Sequence, residues 1–308
     1  MPLLQVDLWE TGALSGADEA ARRAAEGRGP VIVMIHGYKF RPGDPRHCPH
    51  RHILALAPAG SGRRALSWPR ALGFGRDDPA EGLGIAFGWP ARGTIWCAYR
   101  RAELAGRRLA GLVATLRAAA PHRPVHLIGH SLGARVALQA LPHLPEGAVT
   151  RAILLAAAEY AGRAETALAA PAGRAAELVN VTSRENDLFD FLLERLVAPG
   201  RAGDRMLGHG LAPRRNLLTL QLDDPRTLAA LAARGYRVAP PSSRICHWSG
   251  YLRPGVFALY ADLMRRPEML TLPALRAALP AEPAPRWSRL LARSERLEGL
   301  LSPARAPS

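Results

Sequence analysis

The sequence predicts an α/β protein, with a mostly parallel central sheet and helices on both faces, and three stretches carry that prediction. Val31-Ile32-Val33-Met34-Ile35 is a continuous apolar run, of the kind found in a strand covered on both faces. Val125-His126-Leu127-Ile128 is a second run, and residues 134–141 after it read as a helix. Between the two lies a long amphipathic helical stretch, from about 96 to 119.

The remaining elements follow in order. Residues 4–9 alternate apolar and polar side chains as a short strand does, and 15–26 form an Ala-rich helical pattern closed by Gly27. The Pro- and Gly-rich stretch 40–82 is too long for an ordinary connection. It is expected to fold over the sheet as one rim of a pocket, with a short helix near 51–57. Its His47, Cys48, His50 and His52 are crowded, yet their spacing matches no zinc pattern, so a metal-free loop is expected. Further strands are expected at 83–87, 152–156, 178–182 and 216–222, and helices at 161–176, 189–197, 223–234 and 256–266. The gap between 156 and 178 is too short for an inserted lid domain.

At 308 residues, with 48% hydrophobic and 22% charged side chains, the composition is that of a soluble globular protein. No apolar run approaches the ~20 residues of a membrane span. The start, Met1-Pro2-Leu3-Leu4-Gln5-Val6-Asp7, has neither the basic nor the long apolar part of a secretory signal, so a cytoplasmic protein is expected. Cys48, Cys97 and Cys246 are odd in number and widely spaced, which suits a reducing compartment. The formal charge of +15 invites a nucleic-acid partner. Against it, the arginines are scattered and no groove-reading motif aims them, so none is expected.

Composition shifts at Pro267. The core is therefore expected to span 1–266, with 267–308 as a helical extension that the chemistry does not need. In that extension 272–279 is a short helix, 280–285 a Pro-rich linker and 286–301 an amphipathic helix. Trp287, Leu290, Leu291, Leu297, Leu300 and Leu301 share its apolar face, suited to docking on its own domain or a partner subunit. Peripheral membrane contact is the lesser reading. Oligomeric state is left open.

Chemistry concentrates in Gly129-His130-Ser131-Leu132-Gly133, which joins a strand to a helix. Its glycines permit the close backbone approach that a sharp turn needs, and the turn exposes the Ser131 hydroxyl. The strand 31–35 ends in His36-Gly37-Tyr38, and the strand 83–87 is followed by Gly88-Trp89-Pro90, with Tyr99 beyond. In these features the chain resembles the α/β-hydrolase superfamily, and in particular a bacterial branch of uncharacterised esterase- or lipase-like members. The likeness is motif-specific over 31–141 and looser to 260.

The resemblance implies an α/β-hydrolase fold and a serine hydrolase that cleaves a small-molecule carboxylic ester or thioester through an acyl-enzyme. Ser131 would be the nucleophile. Asp187, in the loop Ser183-Arg184-Glu185-Asn186-Asp187, would be the acid, and His247, in Cys246-His247-Trp248, the base. The backbone N–H groups of Tyr38 and Leu132 would hold the oxyanion. No cofactor and no metal are implied. Glu159, Asp190 and Asp223 are the other carboxylates near strand ends, and Asp190 is expected to face away on its helix. Leu188, Phe189, Phe191 and Leu192 are expected to line an acyl pocket. Acyl transfer to another acceptor, and a non-catalytic binding module on the same fold, are the alternatives.

Overall fold

The computed structural model describes residues 3–59, 66–76 and 78–291. Its strands are β1 (Leu3–Leu8), β2 (Leu14–Ser15), β3 (Val31–Ile35), β4 (Leu83–Gly88), β5 (Val125–His130), β6 (Arg151–Leu155), β7 (Glu177–Thr182) and β8 (Leu217–Gln221). They form one eight-stranded sheet in the order β2-β1-β4-β3-β5-β6-β7-β8. The short β2 runs antiparallel to β1 and every other neighbouring pair is parallel. The helices are α1 (Ala17–Glu26), α2 (Trp68–Ala71), α3 (Ile95–Ala119), α4 (Leu132–Ala140), α5 (Ala161–Ala169) and α6 (Pro171–Ala175). They continue with α7 (Asp187–Leu196), α8 (Pro225–Ala232), α9 (Ser249–Leu252), α10 (Val256–Arg265), α11 (Leu272–Ala278) and α12 (Ser288–Leu291). This is the α/β-hydrolase fold.

Strand β3 shows why the central runs are apolar throughout. Val31, Val33 and Ile35 pack under α1, α3 and α4, while Ile32 and Met34 pack under α2, α10 and α11. Burying each such side chain is worth roughly 1.5–3 kcal/mol, so helices cover both faces. The chain leaves β3 for β4 on one side and then returns to β5 on the other. That reversal opens a crevice beyond the carboxyl ends of β3 and β5, the place where open α/β sheets bind ligands.

Two of the expected helices are altered. The helical stretch 161–176 is broken because a residue before proline is driven out of the helical region, and Ala170, preceding Pro171, is extended with φ −70° and ψ 159°. In the long loop the helix expected at 51–57 is replaced by a single 3₁₀ turn, Pro49–Arg51, and by α2, started by Ser67, whose hydroxyl accepts from the Arg70 amide. The crowded histidines there serve structure. His50 Nε2 lies 2.6 Å from Asp7 Oδ1, His47 contacts Asp44 and Arg92, and His52 packs on Phe40.

Part of the arginine excess is spent inside the protein. Arg123, Arg135, Arg151, Arg184 and Arg253 are all buried. Arg123, for instance, donates to the carbonyls of Ala24, Arg28 and Gly29 at 2.7–2.9 Å, closing the carboxyl end of α1. The extension is tied to the rest of the chain. Leu272 and Leu275 of α11 are buried in the α10 face, and the Ala284 amide donates to Gln221 Oε1 at 2.8 Å. Residues 292–301 of the expected amphipathic helix, and 302–308 after it, lie outside the described residues. Among the described residues no helix is long and apolar enough to cross a membrane.

Candidate active site

Ser131 stands between β5 and α4 at φ 56° and ψ −121°, a region costly for any residue with a Cβ. Neighbouring backbone imposes it: the Ser131 amide donates to Leu155 O at 2.9 Å, and its carbonyl accepts from Ala158 at 3.1 Å and Ala134 at 3.0 Å. The flanking glycines are required by contact. A Cβ on Gly129 would stand 2.5 Å from the Gly133 carbonyl group, and one on Gly133 would stand 2.3 Å from Ile35 O. Strand, turn and helix are thus pressed together by backbone alone, and the serine is lifted into the crevice.

A second loop, after β3, comes up beside it. His36 is buried, accepts from the Trp89 amide at Nε2 (3.0 Å) and so donates from Nδ1 to Gly37 O (2.9 Å). Burial holds its pKa down at about 3, so the ring stays neutral. Trp89 Nε1 donates back to His36 O, Lys39 N to Ala91 O and Ala91 N to Phe40 O, each at 2.9 Å. The His-Gly and Trp-Pro motifs are therefore two halves of one clasp. It holds Gly37 so close that a Cβ there would lie 3.1 Å from Ser131 Cβ. Among the described residues, neither the Tyr38 amide nor the Leu132 amide has a loop or turn carbonyl as partner. Leu132 opens α4, so its N–H is also one of the helix's orphan donors.

His247 is brought to the same cavity by three ties. Cys246 N donates to Glu185 O at 2.9 Å, His130 Nε2 donates to His247 O at 2.9 Å, and Phe189 stacks on the imidazole at 4.7 Å. Burial, and then the neighbouring His130, push the His247 pKa well below its ordinary value, so the ring is neutral near pH 7. Its Nδ1 meets Asn186 Oδ1 at 2.7 Å, and Asn186 Nδ2 donates to Asp190 Oδ1 at 2.9 Å. With the amide oxygen facing Nδ1, the ring carries its proton there and Nε2 keeps the lone pair.

Asp187, expected to meet the imidazole, does not. It begins α7, and its Oδ2 accepts from the Trp287 amide at 2.7 Å while Oδ1 lies 3.3 Å from Arg184. The residue against His247 is its neighbour Asn186. Asp190 also departs from expectation: it turns inward, four residues after Asn186 on the same helical side. Glu159 is fully buried among Tyr99, Arg135, Gln139 and the Tyr160 amide, and Asp223 accepts from the Arg184 amide at 2.9 Å. Sequence reasoning missed Asn186, His130 and His36 as positioning groups.

The cavity encloses about 370 Å³ and is lined by Ser131, His247, Tyr38 and Leu132 together with apolar side chains. Phe189 and Leu192, expected there, line it with Leu193, Leu196, Ile95 and Trp248, whereas Phe191 packs on Trp287 instead. Leu192 and Leu196 are partly solvent-exposed at 45% and 44%, which puts an apolar edge on the cavity.

The sheet order and the helix layers define an α/β protein with a hydrolase-like fold. Residues 94–198 match the model of a family described as a protein of unknown function, DUF726. That third of the chain holds Ser131, Asn186 and Asp190, and excludes Tyr38 and His247. Among solved structures the chain is similar to one described as a putative YdeN-like hydrolase from Pectobacterium atrosepticum. The identity is 16%, the match covers 67% of this chain and 84% of that one, and the TM-score is 0.29. No curated protein matches the chain.

Proposed function

We propose that the protein is a serine hydrolase that cleaves a carboxylic ester or thioester through an acyl-enzyme. One observation carries the reading: Ser131 is held at φ 56° in a cavity it shares with a neutral imidazole and with two amides that, among the described residues, have no loop or turn carbonyl as partner. Strain of that kind, about 1–3 kcal/mol, persists where the surroundings over-determine it, and such positions cluster at reactive sites. In the proposed reaction Ser131 Oγ attacks the acyl carbon and its proton passes to His247 Nε2. The oxyanion is held by Tyr38 N–H and Leu132 N–H, and His247 returns the proton to the leaving oxygen or sulfur. Water, deprotonated by the same ring, then releases the acid. Asn186 rather than Asp187 is assigned the third position, since it is the side chain that meets His247 Nδ1, and with its oxygen there the ring is in the productive tautomer. The apolar lining supports an apolar acyl group.

The test is covalent labelling. A fluorophosphonate should modify Ser131, and nitrophenyl esters should be hydrolysed, while Ser131→Ala should abolish both with its melting temperature kept. Equal labelling of Ser131→Ala, or a folded wild-type protein that never labels, would overturn the reading.

A further inference from the structure

His247, Asn186 and Asp190 form one hydrogen-bonded line, 2.7 Å and then 2.9 Å per step, ending at a carboxyl group that is itself buried. An amide in the middle of such a line has no direction of its own. With its oxygen toward Nδ1, the imidazole is the Nδ1–H tautomer and Nε2 can accept a proton. With its NH₂ toward Nδ1, the imidazole becomes the Nε2–H tautomer and cannot act as the base. What stands on the far side of the amide decides. A carboxylate only accepts, so it demands the NH₂ group and sends the oxygen to His247. A carboxylic acid can donate to the amide oxygen, and then the whole line can run backwards.

We infer that Asp190 is a positioning residue whose carboxylate sets the direction of the Asn186 amide and, through it, the tautomer of His247. This rests on the serine-hydrolase reading of the site, and it adds regulation by pH.

The surroundings suit a switch rather than a permanent charge. Asp190 Oδ2 has no hydrogen-bond partner among the described residues and lies so close to Gly208 that a Cβ there would stand 2.1 Å away. Asp190 nevertheless lines the cavity, so protons can reach it. Burial raises its pKa, Arg184 opposes, Asp187 and Glu194 on its own helix add to the rise, and Arg286 of the extension opposes again; the outcome is a carboxyl pushed up to about 8. His209, beside Gly208, is held neutral by its own burial, with a pKa near 4. Near pH 7 the acid form therefore predominates, and the base-competent tautomer is enforced only as the pH rises through about 8.

The tautomer can be read directly by ¹⁵N NMR of histidine-labelled wild-type protein, which needs neither catalysis nor a variant. His247 should show a pure Nδ1–H signature at pH 9.5 and a growing Nε2–H share toward pH 6.5. A tautomer unchanged over that range overturns the inference whether or not the protein is a hydrolase. Fluorophosphonate labelling supplies the functional arm: the wild-type rate should rise about tenfold between pH 7 and 9. Asp190→Asn keeps the volume and removes the obligatory acceptor, and its rate should be flat within about twofold. The double variant Asn186→Asp with Asp190→Asn places a carboxylate directly on Nδ1 and should restore the pH 9 rate at pH 7. If Asp190→Asn retains the rising limb, or slows labelling equally at every pH, the residue is only structural and the inference fails. A folded wild-type protein that labels at no pH but shows the tautomer change leaves Asp190 its positioning role and removes the hydrolase reading instead.

Discussion

His130 Nε2 donates a hydrogen bond to the backbone carbonyl of His247, 2.9 Å away, so the residue preceding the nucleophile holds the loop that carries the base. Because the acceptor is a carbonyl, the His130 proton must sit on Nε2, and burial keeps the ring neutral with a pKa near 4. His130→Phe keeps the ring and loses the donor. Turnover is expected to fall about 10–100-fold, since small displacements of a base cost that much, and the melting temperature should change little. Kinetics of the variant decide it; a normal turnover number would mean that Glu185 and Asn186 hold the loop unaided.

Ser131→Gly should be more stable than Ser131→Ala. Only glycine is at ease at φ 56°, ψ −121°, so replacing alanine there should recover about 1 kcal/mol even after glycine's greater unfolded-state entropy. Thermal melts of the two inactive variants measure it, and an order reversed in favour of alanine would show that the elbow is not strained.

Gly37→Ala should be severe for a different reason. Its Cβ would meet His130 O at 2.8 Å and Ser131 Cβ at 3.1 Å, so the loop bearing the Tyr38 amide must retreat. Losing one oxyanion donor costs about 10²–10³ in turnover number, and that is the loss expected here, with substrate binding less affected. A variant as active as wild type would remove Tyr38 from the oxyanion site.

The pattern of the core was legible because burial on both faces gives β3 an unbroken apolar run and β5 a mostly apolar one. The elbow was legible because only glycine fits at 129 and 133. Which residue of Glu185-Asn186-Asp187 would meet the imidazole was not, since it depends on where α7 starts. The helix begins at Asp187, whose carboxyl is claimed by Arg184 and by the Trp287 amide from a hundred residues away. No local pattern reports such a claim. The Asn186–Asp190 pair did leave a trace, the i, i+4 spacing of two polar residues across the start of the helix.

Stability should peak near pH 7. Burial lowers the pKa of His36 and His126 to about 3 and of His130 and His209 to about 4, so below pH 6.5 the unfolded chain binds protons that the folded one refuses, and stability falls with pH. Asp190 acts in the opposite sense. Raised to about 8, it keeps its proton in the folded state while the unfolded chain has lost it, so stability also declines from pH 7 toward 8, by at most about 1.4 kcal/mol per unit. Melting temperatures from pH 4 to 9 test both limbs; a midpoint still rising between pH 7 and 9 contradicts the second.

Removing residues 281–308 should lower the melting temperature by about 3–8 °C, the equivalent of a few hydrogen bonds and one ion pair. Lost with the segment are the Trp287 amide on Asp187, the Arg286–Glu194 pair at 2.9 Å and the Ala284 amide on Gln221. An unchanged melting temperature would make 281–308 an independent appendage.

Glu159 carries a practical warning for anyone mapping this protein by mutation. It accepts from Tyr99 OH at 2.6 Å, Gln139 Nε2 at 3.0 Å and the Tyr160 amide at 2.9 Å, and it pairs with Arg135, whose guanidinium lies 3.6 Å over the Tyr99 ring. These groups lock α3 and α4 behind the elbow. A library scored by product alone would rank Glu159 beside the nucleophile and suggest an acid at the wrong strand end. Scored in parallel for abundance in the cell, the same variants would disappear with the folded protein, and the two ledgers would part at Ser131.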